Sequence, residues 1–220
     1  MILDDATRAI DRYNRIGLHY NLASEGICRM RETRDPFSQE YEPYIIAGLI
    51  AFDMERMMGQ GDKYELDGHS FRSRLRRKMQ TVREVLQEVP SASLHQADLA
   101  AFASAIEAAY DCLAASGEGS LNADSGDQFH VGATKVLHWI APAFFIMVDS
   151  NVAAAFRKHH GVKYRKGTQP GYTPKKYLQC LQCAKHEIHV YGHERFCQIE
   201  PATPLARLFD KAAYVAGLTT

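Results

Sequence analysis

The 220-residue sequence is short of several things, and each shortage excludes a class of protein. No stretch approaches the roughly 20 consecutive apolar residues that a bilayer-spanning helix needs. The opening MILDDATRAIDRY has neither the basic start nor the apolar run of a secretory signal, so a cytoplasmic protein with no membrane partner is expected. Neither sign of charge is in excess, with Lys+Arg and Asp+Glu at 26 each, so no global basic field announces nucleic acid. Any claim of nucleic-acid contact must therefore rest on local patches. The five cysteines are an odd number in a chain that is not small, which argues against a disulfide framework and for reduced thiols. No unit repeats, and outside the apolar run 144–148 no segment reads as a strand.

What is present is helical periodicity. A first helix is expected over residues 4–22, capped by Asp4 or Asp5, with Ile10, Tyr13, Leu18 and Leu22 inward and Arg8, Arg12 and Arg15 elsewhere. Residues 31–42 read as a connector broken at Asp35-Pro36. Pro43 opens a mostly apolar helix to about Met58, whose Ala47-Gly48 pair lets another helix come close. From Ser70 a helix carries Phe71, Leu75, Met79, Val82, Val85 and Leu86 at helical spacing, and another spans 93–115. The Gly- and Ser-rich stretch 116–127 is the clearest loop, and Asp127 can cap the next helix. Further helices are expected after the turn 131–134, over 151–160, from the Thr173-Pro174 cap to Gly192, and from Thr203-Pro204 to Ala216. The expected fold is all-α, about eight helices in two packed subdomains, 1–115 and 128–220, with a cleft between them or merged into one compact domain. Balanced charge and apolar helices permit a homodimer without requiring one.

Residues 129–156, FHVGATKVLHWIAPAFFIMVDSNVAAAF, are the most apolar long segment, interrupted by Lys135, His138 and Asp149 and holding the single tryptophan, Trp139. Lys135 and His138, three apart, share a helix face. A lysine in such apolar company loses hydration, which lowers its pKa and favours the nucleophilic neutral amine. Its bland alternative is a snorkelling side chain. Asp149 stands where an N-cap belongs, and a capping carboxylate still has a second oxygen for a cleft.

Two basic windows stand out. Arg72, Arg74, Arg76, Arg77, Lys78 and Arg83 crowd one helix, and Arg157, Lys158, Lys163, Arg165, Lys166, Lys175 and Lys176 succeed one another without an acid, with Tyr164 and Tyr172 interleaved. Both are candidate phosphate contacts, and both are also what a solvated face looks like. A zinc alternative uses Cys180, Cys183, His193 and Cys197, provided that the chain turns back near Gly192.

The segment VGATKVLHWIAPAFFIMVDSNVAAAF resembles the core of the helix–hairpin–helix DNA glycosylases, in which a glycine turn enters a lysine-bearing helix and an apolar run reaches a V-D-(S/T)-x-V helix start. The resemblance implies a mainly α-helical fold with a base pocket between two subdomains. It makes Lys135 the amine that attacks the sugar C1′ to form a Schiff base, and Asp149 the carboxylate that assists. Trp139 and His138 would contact an extruded base, and Arg72, Arg76, Arg77, Arg157, Lys158, Lys163, Arg165 and Lys166 would bind DNA phosphates. No cofactor is implied, and the sequence has no iron–sulfur cysteine pattern. Of that family's usual G-x-G hairpin only Gly132 is present. The same K-x-x-H, P-x-F-F and D-S-x-V arrangement also resembles bacterial all-helical proteins of unassigned activity. The competing expectation is a non-catalytic helical interaction or ligand-binding module, in which Lys135 is a structural or ligand-binding cation.

Overall fold

The structure, a computed structural model, describes residues 1–52, 71–87, 89–116, 119–122, 129–163 and 172–218. Among these residues it is all-helical, with no strand and ten α-helices. They are α1 (Ala6–Ile16), α2 (Leu18–Arg31), α3 (Glu42–Ala51), α4 (Phe71–Val85), α5 (Ala103–Ala114), α6 (His130–Ile140), α7 (Ser150–His160), α8 (Pro174–Tyr191), α9 (His193–Cys197) and α10 (Leu205–Leu218). The expected extension of the third helix to Met58, and the cap at Asp127, lie outside the described residues.

Local chemistry sets most boundaries. Pro43 stands in the first turn of α3. Thr173 caps α8 by accepting the Lys176 amide, with Pro174 as the first helical residue and Gly192, at φ 91°, at its end. Gly161, at φ 66°, closes α7 in the left-handed conformation that costs glycine least.

Three expectations need correcting. The helix expected over 4–22 is two helices, because the chain breaks at Gly17, whose amide bonds back to the Tyr13 carbonyl at 2.7 Å. Asp5 precedes α1 without a side-chain cap, and the break turns Leu18 and Leu22 out to 58% and 63% exposure. The helix expected over 93–115 starts only at Ala103. Leu94 and Leu99 are still buried, but from turns, and the Leu94 amide bonds to the Ala143 carbonyl at 2.9 Å. The turn expected at 131–134 lies inside α6, where Gly132 sits directly under the Phe129 ring.

α6 is the axis of the molecule. All of its residues except Val131 are buried, and α2, α3 and α5 pack around it. Around this axis α4 lies on α3 and α5, α8 on α5, and α10 on α7 and α1. One hydrophobic cluster runs from Ile2 to Ala213 through both the 1–115 and 128–220 parts of the chain. The start of the chain is tied down by Glu187 of α8, only 1% exposed. Its two oxygens accept the Ile2 and Leu3 amides at 2.8 Å each, and His160 Nε2 lies 2.6 Å from one of them.

Two glycines are there because helices touch. A Cβ on Gly48 would land in the Ile27 and Trp139 side chains, so the close approach expected at Ala47-Gly48 is made between α3, α2 and α6. A Cβ on Gly217 would strike the Asn151 backbone, where α10 crosses α7. Gly26, on the outer side of α2, meets nothing within 4 Å. Gly48→Ala and Gly217→Ala should therefore each destabilise the fold by about 1–3 kcal/mol through overpacking. Gly26→Ala should stabilise it by roughly 0.5–1 kcal/mol through helix propensity. Urea unfolding of the three variants checks the opposite signs.

Candidate functional site

The segment linking α6 to α7 is buried, and buried backbone polar groups need partners. The Phe144 and Phe145 amides turn back to the Ala141 carbonyl at 3.0 and 2.9 Å, and beyond them, with no strand among the described residues, side chains supply the bonds. Tyr177 donates its hydroxyl to the Ile146 carbonyl at 2.9 Å. His138 Nδ1 lies 2.7 Å from the Phe145 carbonyl and must carry the proton to bond with it. Thr134 Oγ1 accepts the Val148 amide at 3.0 Å and donates to the Val131 carbonyl at 2.9 Å. Asp149 then caps α7, its Oδ1 accepting the Asn151 and Val152 amides at 2.9 Å each. The capping role expected of Asp149 is met.

His138 is wholly buried, and with Nδ1 donating, Nε2 is an acceptor with no partner. Burial first and the nearby Arg207 charge second push its pKa down to about 3, against the bond to the Phe145 carbonyl, so it is neutral. Lys135, 4% exposed, faces elsewhere: its ammonium lies 4.8 Å from the centre of the Phe52 ring. Phe52 in turn meets Trp139 edge-on at 5.8 Å. Trp139 is fully buried, with Nε1 3.4 Å from Ser24 Oγ and its six-membered ring against Gly48. As folded, neither His138 nor Trp139 offers a face to a base. The expected shared face of Lys135 and His138 divides, one side chain going to α3 and the other to the 144–148 run. The Thr134–Val148 bond nonetheless sets the residue before Lys135 against the residue before Asp149. Asp149 Oδ2 carries no hydrogen bond among the described residues.

The two basic windows meet different fates. Arg72 and Arg76 both pair with Glu42, which is only 4% exposed, Arg76 Nε at 2.9 Å from Oε2. Arg83 pairs with Asp35 at 3.3 Å, and Lys78 donates to the Cys112 carbonyl. Burial lowers the Lys78 pKa. Arg77, Arg157, Lys158 and Lys163 are exposed, and Arg165 and Lys166 lie outside the described residues. The zinc alternative does not assemble. Among the described residues no three His, Cys, Asp or Glu side chains are placed to hold a metal. Cys180 points into the core, where burial raises its thiol pKa well above the ordinary value, and His193 stacks on His95 with ring centres 5.1 Å apart.

Two further arrangements come from folding rather than from any motif. One is a buried polar chain that joins α1, α2 and α10. Arg207 donates to Asp210 at 3.2 Å, to the Tyr13 hydroxyl at 3.0 Å and to Asn21 Oδ1 at 2.9 Å. Asn21 donates to Asn14, Asn14 to Glu200, and Glu200 pairs with Lys211 at 2.6 Å. Burial works against the Arg207 cation, and Tyr13 and Asp210 outweigh it, so its pKa is raised. The only hint in the sequence is three charges on an otherwise apolar last helix. The other arrangement is a cleft of about 820 Å³ alongside α1, lined by Arg8, Arg12, Arg15 and Lys158.

Compared with family models, with curated proteins and with solved structures, the chain finds no match in any of the three.

The neutral His138 makes a pH prediction. An unfolded histidine titrates near 6.5, whereas this one holds out to about pH 3. Its contribution to stability is complete above pH 6.5 and is lost as pH falls through that window, at about 1.4 kcal/mol per pH unit. Urea unfolding should show the gap between the protein and His138→Asn, large at pH 7, narrowing steadily toward pH 4. A gap that stays constant with pH would show that folding does not shift the titration of His138, against its sealed neutral state.

Proposed function

We propose that this protein is a non-catalytic helical binding module in which Lys135 is a structural cation. The observation that carries this reading is the placement of Lys135: nearly sealed from solvent, with its ammonium over the Phe52 ring. A ring face at this range attracts the ammonium by about 0.5–2 kcal/mol, and the amine is closed off from a substrate in solution. His138, which the glycosylase resemblance would set against a base, and Thr134, next to Lys135, are occupied in bonding the backbone of residues 145–148.

A second reading, a DNA-base-processing enzyme with Lys135 as Schiff-base nucleophile and Asp149 as its carboxylate, draws support from the Thr134–Val148 bond. That bond brings the two segments together and leaves Asp149 Oδ2 unengaged. It requires the shell around Lys135 to open on DNA.

Borohydride trapping on a duplex with an abasic site separates the readings. The module gives no adduct beyond the level of Lys135→Arg, which keeps the charge but forms no imine. An adduct that disappears in Lys135→Arg would overturn the module and support the enzyme. Lys135→Ala should also lower unfolding stability by about 2 kcal/mol, since it removes a buried cation from its ring.

A further inference from the structure

The arginines of this chain fall into two groups. Arg72, Arg76, Arg83 and Arg207 are consumed by Glu42, Asp35 and Asp210. Arg8, Arg12 and Arg15 are not. All three are exposed on α1. Arg12 has no ion-pair partner among the described residues, Arg15 bonds only to the Asp11 carbonyl of its own helix, and Arg8 reaches Asp5 at 4.0 Å with both side chains well exposed. Such a surface pair contributes little and is easily exchanged for another anion.

These arginines recur at intervals of four and three residues, so they form one stripe on a helix of 11 residues, about 16 Å long. The stripe lines an open cleft of about 820 Å³ whose opposite side is built from Lys158, near the end of α7, and from Val215 and Ala216 of α10. Its charge is mostly of one sign. Three guanidinium forks and the Lys158 ammonium stand against Asp5 and against Asp4, which pairs with the Met1 amino group. Between the charges the floor is apolar, with Ala9, Val215 and Ala216.

We propose that this cleft binds single-stranded nucleic acid, with Arg8, Arg12, Arg15 and Lys158 tracking its phosphate backbone. Guanidinium forks fit phosphate oxygens in pairs, and a row of them along a groove matches a chain of regularly spaced anions. The volume is that of a pocket for a few nucleotides. The cleft is open to solvent, so a flexible strand can lie along the arginine stripe and bend to it. The apolar floor accepts sugars and base edges. Among the described residues the one ring lining the cleft is the His159 imidazole, so the binding rests mainly on charge, with the steep salt dependence of counterion release. The cleft serves this role whether Lys135 is structural or catalytic, because it uses neither Lys135 nor Asp149.

The test is fluorescence anisotropy with labelled oligo(dT) and oligo(U) of about 12 nucleotides. With four phosphate contacts, affinity should fall roughly 50-fold between about 50 and 200 mM salt. Arg8→Ala/Arg12→Ala/Arg15→Ala should weaken binding by at least about tenfold. Arg29→Ala/Arg195→Ala removes charge from exposed positions outside the cleft and should leave the affinity within about twofold. The changed side chains are all exposed, and unchanged thermal melts confirm that both variants fold. Absence of strand binding by the wild type overturns the proposal, as does equal loss in the two variants. So does a duplex or an acidic peptide that binds the cleft as tightly as the strand, because the cleft would then not be built for single-stranded nucleic acid.

Discussion

The molecule depends on how residues 144–148 are satisfied. A buried run with no strand beside it among the described residues would leave several backbone groups unpaired, each at a cost of about 1–3 kcal/mol. Thr134 and His138 of α6 and Tyr177 of α8 supply the missing bonds from two sides. The run then delivers Asp149 to the start of α7 at the right angle for capping. Because α7 carries α10, and α10 carries α1 through Arg207 and Tyr13, the placement of both ends of the chain depends on these few bonds.

Polar residues that act locally are legible in the sequence, and those that act across the fold are not. Asp149, Thr173-Pro174, Gly192 and Pro43 act on their own helices, and a local rule finds them. The prominence of residues 129–156 is visible too, because α6 is apolar on every side and must lie at the centre. Gly17 gives no signal of a break, since its role depends on where the Tyr13 side chain goes. Leu94 and Leu99 have helical spacing, yet they are buried from turns held by the Ala143 carbonyl, a partner far along the chain. Arg207, Asp210 and Lys211 have the pattern of a solvent-facing side on a last helix, and they are buried because Tyr13, Asn21 and Glu200 meet them from elsewhere.

Charge is the least legible property. The basic run on α4 is dense in sequence, but Glu42 alone neutralises two of its members. The arginines of α1 are sparse in sequence, and folding concentrates them in one cleft with a lysine from α7. A count of charges along the chain sees neither the buried acid nor the facing helix. Lys135 is buried as its apolar neighbours in sequence suggest, and the ring it meets, Phe52, is hidden by sequence distance.

Whether the polar residues of the α6–α7 segment are structural is tested most directly by amide hydrogen exchange at Val148. The bond from this amide to Thr134 Oγ1 should give it protection close to that of global unfolding, and Thr134→Val should remove that protection while the amides of α8 keep theirs. Rapid exchange at Val148 in the unaltered protein would contradict a structural role, because the run would then be open to water and its side-chain bonds would not hold it.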